Sequence, residues 1–355
     1  MRLPISTLQR SASLAFGLTV LFGPGAAFAE APGAAPEAID WVELAMGAIG
    51  GLVLFLYGVH ELSHALKAVA GERMKRLIGH ATGDRFRGLG AGTAATVLLD
   101  SSSLTIILLI TFVDAGLASF VQALPVVLGA NIGTTFSSQV FAIGIDAYAP
   151  VLMLAGFLLR MTVKKHHAKD WGAALFGIGL VLFGLHTIGE AAEPLKDQPV
   201  VTDWLKTMAT PVYGILAGAA ITIAIQSSSA MLGIIITLAG QGIIPLEAGI
   251  AMMLGAEIGT CADTLVATIG RSRDALRVGL FHLLFNIVTV LVGAVLVEQI
   301  VLFATWTSDD VAQQIANAHV AFNVGGALLF LGFVRVVGRL IERAVPEPVK
   351  DAVAA

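Results

Sequence analysis

Two strings of three consecutive serines interrupt an otherwise apolar chain: Ser101, Ser102 and Ser103 behind Asp100, and Ser227, Ser228 and Ser229 behind Gln226. Each is trailed by a second string, GANIGTT at Gly129–Thr135 and GAEIGTC at Gly255–Cys261. Adjacent hydroxyls can donate hydrogen bonds in several directions. A helix break at the serines would also free backbone N–H groups and point a positive dipole end at the same place. Together these groups suit an anion. Lysine and arginine are absent between Gly88 and Leu159, so an anion held there relies on hydroxyls, N–H groups and a co-bound cation. Two carboxylates complicate this picture: Asp100 stands at the position of Gln226, and Glu257 at that of Asn131. An ionisable group at membrane depth is costly and functional by default. A cation ligand or proton carrier is therefore expected in at least one of them. A single serine in a membrane helix usually bonds its own backbone; two matched triplets with matched trailing strings argue for a site.

The elements that position these groups are read from composition and periodicity. Of 355 residues, 56% are hydrophobic and 13% charged, too little charge to cover a soluble surface. The apolar runs approach the ~20 residues of a bilayer span, and the 39 glycines suit helices packed in lipid. The single cysteine, Cys261, excludes a disulfide framework, and no basic, aromatic-interleaved stretch points to nucleic acid. Arg2 and Arg10, the apolar stretch Leu14–Phe22 and the Ala27-Phe28-Ala29 string predict a signal peptide over 1–29, followed by a periplasmic linker over 30–42.

Self-comparison at a constant offset of 126 aligns 96–135 with 222–261 without gaps, and Gly58 and His60 with Gly184 and His186. The chain is duplicated. The loop over 67–90 carries Lys67, Arg73, Lys75, Arg76, Arg85 and Arg87, whereas 189–210 carries Glu190, Glu193, Asp197 and Asp203 against two lysines. Basic loops are cytoplasmic, so the halves are expected to be inverted, each with an odd number of crossings. A trace that satisfies this has spans at 43–66, 117–140, 147–163, 171–189, 245–268, 278–304 and 313–338, with re-entrant helical hairpins at 91–115 and 212–241. The expected architecture is an all-α membrane protein with a first repeat over 43–165, a second over 171–304, an extra helix over 313–338 and a cytoplasmic tail over 339–355. His60 and His186 could line a pathway. The strings His282–Asn286 and His319–Asn323 place histidine and asparagine on one helix face, chiefly to bond neighbouring helices.

With its paired motifs, the chain resembles the sodium/phosphate cotransporter family, over roughly 45–335. That family carries a duplicated QSSS motif in inverted repeats, each trailed by a GANIGTT-like string. The resemblance implies sodium-driven uptake of inorganic phosphate by alternating access in the inner membrane, with no enzymatic step and no cofactor beyond sodium as coupling ion. It assigns the substrate to Ser101, Ser102, Ser103, Gln226, Ser227, Ser228, Ser229, Asn131, Thr134 and Thr260, and the cation to Asp100, Glu257, Asn131 and Thr135. The expected partners are phosphate, sodium and the lipid bilayer, with oligomeric state left open. Many bacterial relatives append a soluble PhoU-like domain, and this chain is expected to lack it. The sequence departs from the pattern at Asp100, Glu257 and Cys261. Those departures favour, as alternatives, a same-fold carrier for another small anion or a cation. A channel or a non-transporting sensor or scaffold is a further alternative. A serine hydrolase is disfavoured, because no GxSxG string is present and a nucleophile need not be duplicated.

Overall fold

The computed structural model describes residues 39–80 and 84–347; the expected signal peptide lies outside them, as do most of the linker and the last eight residues of the tail. The described residues contain helices and no strand. Six helices are long and apolar enough to cross a membrane, or seven if one bent pair is a single span. In chain order the α-helices are α1 (Trp41–His80), α2 (Arg85–Leu99), α3 (Ser102–Asp114), α4 (Phe120–Ala142), α5 (Ala149–Thr162), α6 (His166–Ala192) and α7 (Pro199–Met208). They continue as α8 (Pro211–Ile225), α9 (Ser228–Gly240), α10 (Leu246–Gly259), α11 (Cys261–Val266), α12 (Arg273–Val295), α13 (Val297–Thr307) and α14 (Val311–Ala344).

Local chemistry sets the ends that matter. Helix α4 opens on a capping box: the Ser119 hydroxyl accepts from Gln122 N–H, and the Gln122 amide oxygen accepts from Ser119 N–H. Helices α2 and α8 stop because Asp100 and Gln226 turn left-handed, with φ 50° and φ 60°. The next residue, Ser101 or Ser227, is extended and caps the following helix through Leu104 N–H or Ala230 N–H, each at 3.1 Å. The first serine of each triplet is therefore spent on building the helix break.

The duplication is carried into the backbone. Among the described residues, six have positive φ, and they fall into three pairs at the offset of 126: Asp100 with Gln226, Gly116 with Gly242 and Gly144 with Gly270. Packing repeats as well. A Cβ on Gly92 or Gly129 would strike the carbonyl oxygen of Val126 or Leu89; a Cβ on Gly218 or Gly255 would strike that of Met252 or Ile215. Each half thus presses two helices together, α2 on α4 and α8 on α10, through the same pair of glycines.

Helix α4 is 78% buried over its apolar window and α10–α11 72%, against 17% for α1 and 28% for α14. The two helices that carry the GAxIGT strings therefore form the centre, and α1 and α14 present broad apolar faces outward. The second arm of each helical pair packs on the opposite half: α3 on α11 and α12, and α9 on α4.

The structure departs from the expected trace in five places. The segment 147–163 is the 14-residue α5, about 21 Å long; it is too short to count among the six. A 3-10 turn at Asp146–Tyr148 and Pro150 fix its start, and extended Val163 ends it. The segment 278–304 is split at Leu296 into α12 and α13. Part of the expected basic loop 67–90 is helix, since α1 continues to His80, and α14 runs to Ala344, into the expected tail. Finally, 189–210 holds the 10-residue α7, bent 99° from α8.

One difference between the halves gives a test. Thr96 Oγ bonds Thr105 Oγ at 3.0 Å, joining α2 to α3. At the offset of 126 Thr105 becomes Met231, and the buried Thr222 hydroxyl has no partner. An unmade buried hydrogen bond costs about 1–3 kcal/mol. Thr222→Val is therefore expected to hold or raise the thermal midpoint of the purified protein, and Thr96→Val to lower it, as read by differential scanning fluorimetry.

Candidate functional site

The two helix breaks converge. Ser103, near the N-terminus of α3, lies 3.1 Å from Thr260 of the second GAxIGT string, hydroxyl to hydroxyl. Asp100 and Ser229, one from each break, line the same cavity of about 220 Å³. Ser137 also faces it, and its hydroxyl donates to Asp100 Oδ1. The remaining walls are apolar, from α1, α4 and α6 among others, including Val59, Phe141 and Val181. No lysine or arginine lines it.

The other expected site residues are placed less directly. Ser102 and Ser228 are buried at the starts of α3 and α9, and Gln226 is exposed. Asn131 is buried, with its amide nitrogen on Val127 O of its own helix at 3.0 Å. Thr134 and Thr135 donate to Asn131 O at 2.6 Å and Ile132 O at 2.8 Å. Their hydroxyl protons are used within α4, so what they can still offer is oxygen lone pairs, which suit a cation better than an anion.

Glu257 lies away from the cavity lining, 2% exposed. Its Oε1 accepts from His319 Nε2 at 2.8 Å and from Asn323 Nδ2 at 2.9 Å. His319 Nδ1 is 2.7 Å from Ser138 Oγ, next to the serine that holds Asp100. The second His/Asn string does the matching work: His282 Nδ1 is 2.9 Å from Thr264 Oγ, and Asn286 Nδ2 is 3.2 Å from Cys261 Sγ. Ser138 and Thr264 are equivalent at the offset of 126, so each half supplies one hydroxyl to one histidine.

Sequence reasoning missed Ser137 and Ser138. Their signal was adjacency, since they follow the GANIGTT string after one phenylalanine, and equivalence, since Asp263 and Thr264 stand at the matching positions. The two histidines expected to line a pathway are elsewhere. His60 is exposed and its ring lies against that of His64 at a tilt of 51°, and His186 sits near the surface between Asp146 and Glu190 at 2.8 and 3.2 Å. Among the described residues, no group of three or more His, Cys, Asp or Glu is arranged for a metal ion.

The chain is similar along most of its length to proteins of known sequence. It is 30% identical over 303 residues to "Uncharacterized protein YqeW" of Bacillus subtilis, covering 83% of this chain and 96% of that protein. It is 26% identical over 305 residues to "Putative inorganic phosphate export protein YjbB" of Escherichia coli; this is 85% of the chain but only 56% of that longer protein. A shorter match, 38% over 99 residues, joins 27% of the chain to 16% of human "Sodium-dependent phosphate transport protein 2C". No solved structure matches the chain. The Na+/Pi-cotransporter profile matches twice, over 54–190 and over 198–335, one copy for each half of the duplication. The chain, a multi-pass membrane protein with six long apolar helices among its described residues, belongs to the Na+/Pi-cotransporter family.

Proposed function

We propose that this protein is a secondary carrier of the bacterial inner membrane that moves inorganic phosphate together with sodium, by alternating access between two inverted repeats. The observation that carries the reading is the convergence of the two serine-bearing breaks: Ser103 on Thr260, and Asp100 and Ser229 on one cavity. Discontinuous helices at a repeat interface are where inverted-repeat carriers hold substrate and coupling ion. The arms of each helical pair have 15 and 13 residues, about 22 and 20 Å. Each falls short of a hydrocarbon core of about 30 Å, which supports two re-entrant hairpins entering from opposite sides. Charge supports the inversion: Arg160 ends α5, Lys164, Lys165 and Lys169 follow it into the start of α6, Arg271, Arg273 and Arg277 precede or open α12, and Arg335, Arg339 and Arg343 close α14. Asp309 and Asp310, before α14, fall on the other side in this trace.

The mechanism follows from the groups present. Phosphate would be held by Ser103 and Ser229 hydroxyls and by the N–H groups that open α3 and α9, with the dipoles of both helices directed at it. Sodium at Asp100 would cancel the carboxylate's repulsion, so that each ion raises the affinity of the other by the same factor. The direction of net transport would follow the gradients.

Equilibrium binding of labelled phosphate to purified protein tests this. Saturating sodium is expected to tighten binding at least tenfold relative to choline; equal binding in both would contradict the coupling. Ser103→Ala and Ser229→Ala are each expected to weaken phosphate binding by roughly 10–100-fold, the loss of one hydrogen bond to a charged group. Unchanged affinity in both variants would place the anion elsewhere. The carboxylate in the cavity wall favours one second reading, a cation substrate on the same fold. Displacement of labelled phosphate by other oxyanions but not by organic cations would dismiss it.

A further inference from the structure

Asp114 is the last residue of α3, where its charge meets the negative end of its own helix. Its partners lie in the other half. Oδ1 accepts from Ser272 N–H at 2.8 Å, and Oδ2 is 3.7 Å from Arg271 Nη1. The same Arg271 nitrogen donates to Thr111 Oγ at 3.0 Å, one turn earlier on α3. Ser272 is the N-cap of α12, its hydroxyl accepting from Ala275 N–H. In a capping box the N3 side chain accepts from the N–H of the N-cap residue itself, as Gln122 does for Ser119 in α4. The N3 residue of α12 is Ala275, which has no such group. Asp114 completes the box from another helix, and its charge suits the positive end of α12.

Helix α3 is thereby pinned at both ends to one stretch of the second half. Ser103 at its start meets Thr260, and Thr111 and Asp114 at its end meet Arg271 and Ser272. The helix between is 13 residues, an arm about 20 Å long, packed on α11 and α12. The counterpart arm α9 is held differently. At the offset of 126 Asp114 becomes Gly240, Arg271 becomes Ile145 and Ser272 becomes Asp146. Glycine offers no carboxylate, and Asp146 turns instead to His186 of α6, 2.8 Å away. Among the described residues Ser229 makes no bond to Thr134, whose hydroxyl donates to Asn131 O. One arm is fastened across the halves by polar contacts at both ends, and its twin is not.

The Arg271 and Asp114 side chains are 29% and 32% exposed. An ion pair so open to water holds weakly and releases readily. Alternating access needs contacts of this kind between the halves, closed in one state and broken in the other. We propose that Asp114, Arg271 and Ser272 form the inner gate: they close α3 onto the second half in this structure and release it when the site opens to the cytoplasm. The alternating-access reading above, with the basic residues that place Arg271 on the cytoplasmic side, supplies the direction; the contacts themselves do not depend on it. Because Ser103 lies near the start of the same arm, release at Asp114 reaches the substrate hydroxyl through one helix.

Spin labels at Leu117→Cys and Ile269→Cys, exposed positions on either side of the gate, read its opening by electron paramagnetic resonance distance measurement on purified full-length protein. Cys261 is 1% exposed and does not compete for label. The labelled pair alone is expected to show mainly one short distance. Adding Asp114→Ala, or separately Arg271→Gln, is expected to raise a longer-distance population at least threefold; either variant suffices if the other does not fold. An unchanged distance distribution in a folded variant would overturn the proposal, and a lowered thermal midpoint beside it would make Asp114 a cap of α12 and nothing more. The distances are read without phosphate or sodium. A gate that opens in a protein without sodium-dependent uptake would therefore stand, and only the reading of what passes through it would fall.

Discussion

Asp100→Asn is expected to raise the sodium concentration for half-maximal phosphate uptake at least tenfold, while phosphate affinity at saturating sodium changes less than threefold. The substitution is close to a pure removal of charge. Asparagine tolerates the left-handed conformation that Asp100 adopts at the helix break, and its side-chain oxygen can still accept from Ser137. A unit charge about 4 Å from a bound cation is worth about 4 kcal/mol at the effective dielectric of a partly hydrated site. Tenfold, or about 1.4 kcal/mol, is therefore a conservative floor. The measurement is a sodium titration of labelled phosphate uptake at fixed phosphate. An unchanged sodium curve would remove Asp100 from the cation site. Equal loss of both ions in a folded variant would make it a structural residue of the break.

Gly129→Ala is expected to abolish the folded protein, and Gly255→Ala to do the same. The added Cβ would meet not a side chain that can turn away but the carbonyl of Leu89 or Ile215. Gly92 and Gly218 make the reciprocal approach, so each helix pair is held together from both sides. Relief requires α2 and α4, or α8 and α10, to separate, which breaks packing along their whole contact. Ordinary overpacking costs about 1–3 kcal/mol, and a clash of Cβ on backbone in a close helix crossing lies above that range. Gly90→Ala is the control, since its Cβ meets nothing within 4 Å and alanine is the better helix former by about 1 kcal/mol. Yield of monodisperse protein by size-exclusion chromatography reads all three. A folded Gly129→Ala protein with an unchanged thermal midpoint would show that the helices do not meet this closely.

Periodicity and repetition made a large part of the molecule readable. The offset of 126 placed both helix breaks between their flanking arms, because the same Asp/Gln-Ser-Ser-Ser string both ends one helix and caps the next. Apolar runs located the long helices, since burial in lipid needs length and little charge. What failed was the assumption that every apolar run between charged segments is a full span. Helix α5 is cut short by Pro150 and by Val163 ahead of Lys164 and Lys165, and α12 breaks from α13 at Leu296, where no proline marks the stop. At the site, residue type indicated the serines and the two carboxylates but not their partners. Glu257 was singled out as an anomaly at an asparagine position. That it is gripped by His319 and Asn323 depends on how α14 packs on α10, a long-range fact with no local signal. The His/Asn strings were visible as helix-face pairs, and their task is set by which helix each one faces. Ser137 and Ser138 look like ordinary small residues of a membrane helix until Asp100 and His319 are seen against them.

The most direct test of the central claim is uptake of labelled phosphate into proteoliposomes under an inward sodium gradient. Saturable accumulation above the external concentration, lost when choline replaces sodium and reduced by Ser103→Ala, is the predicted result. No sodium-dependent accumulation by protein shown to be folded and reconstituted would contradict the reading of this chain as a sodium-coupled phosphate carrier.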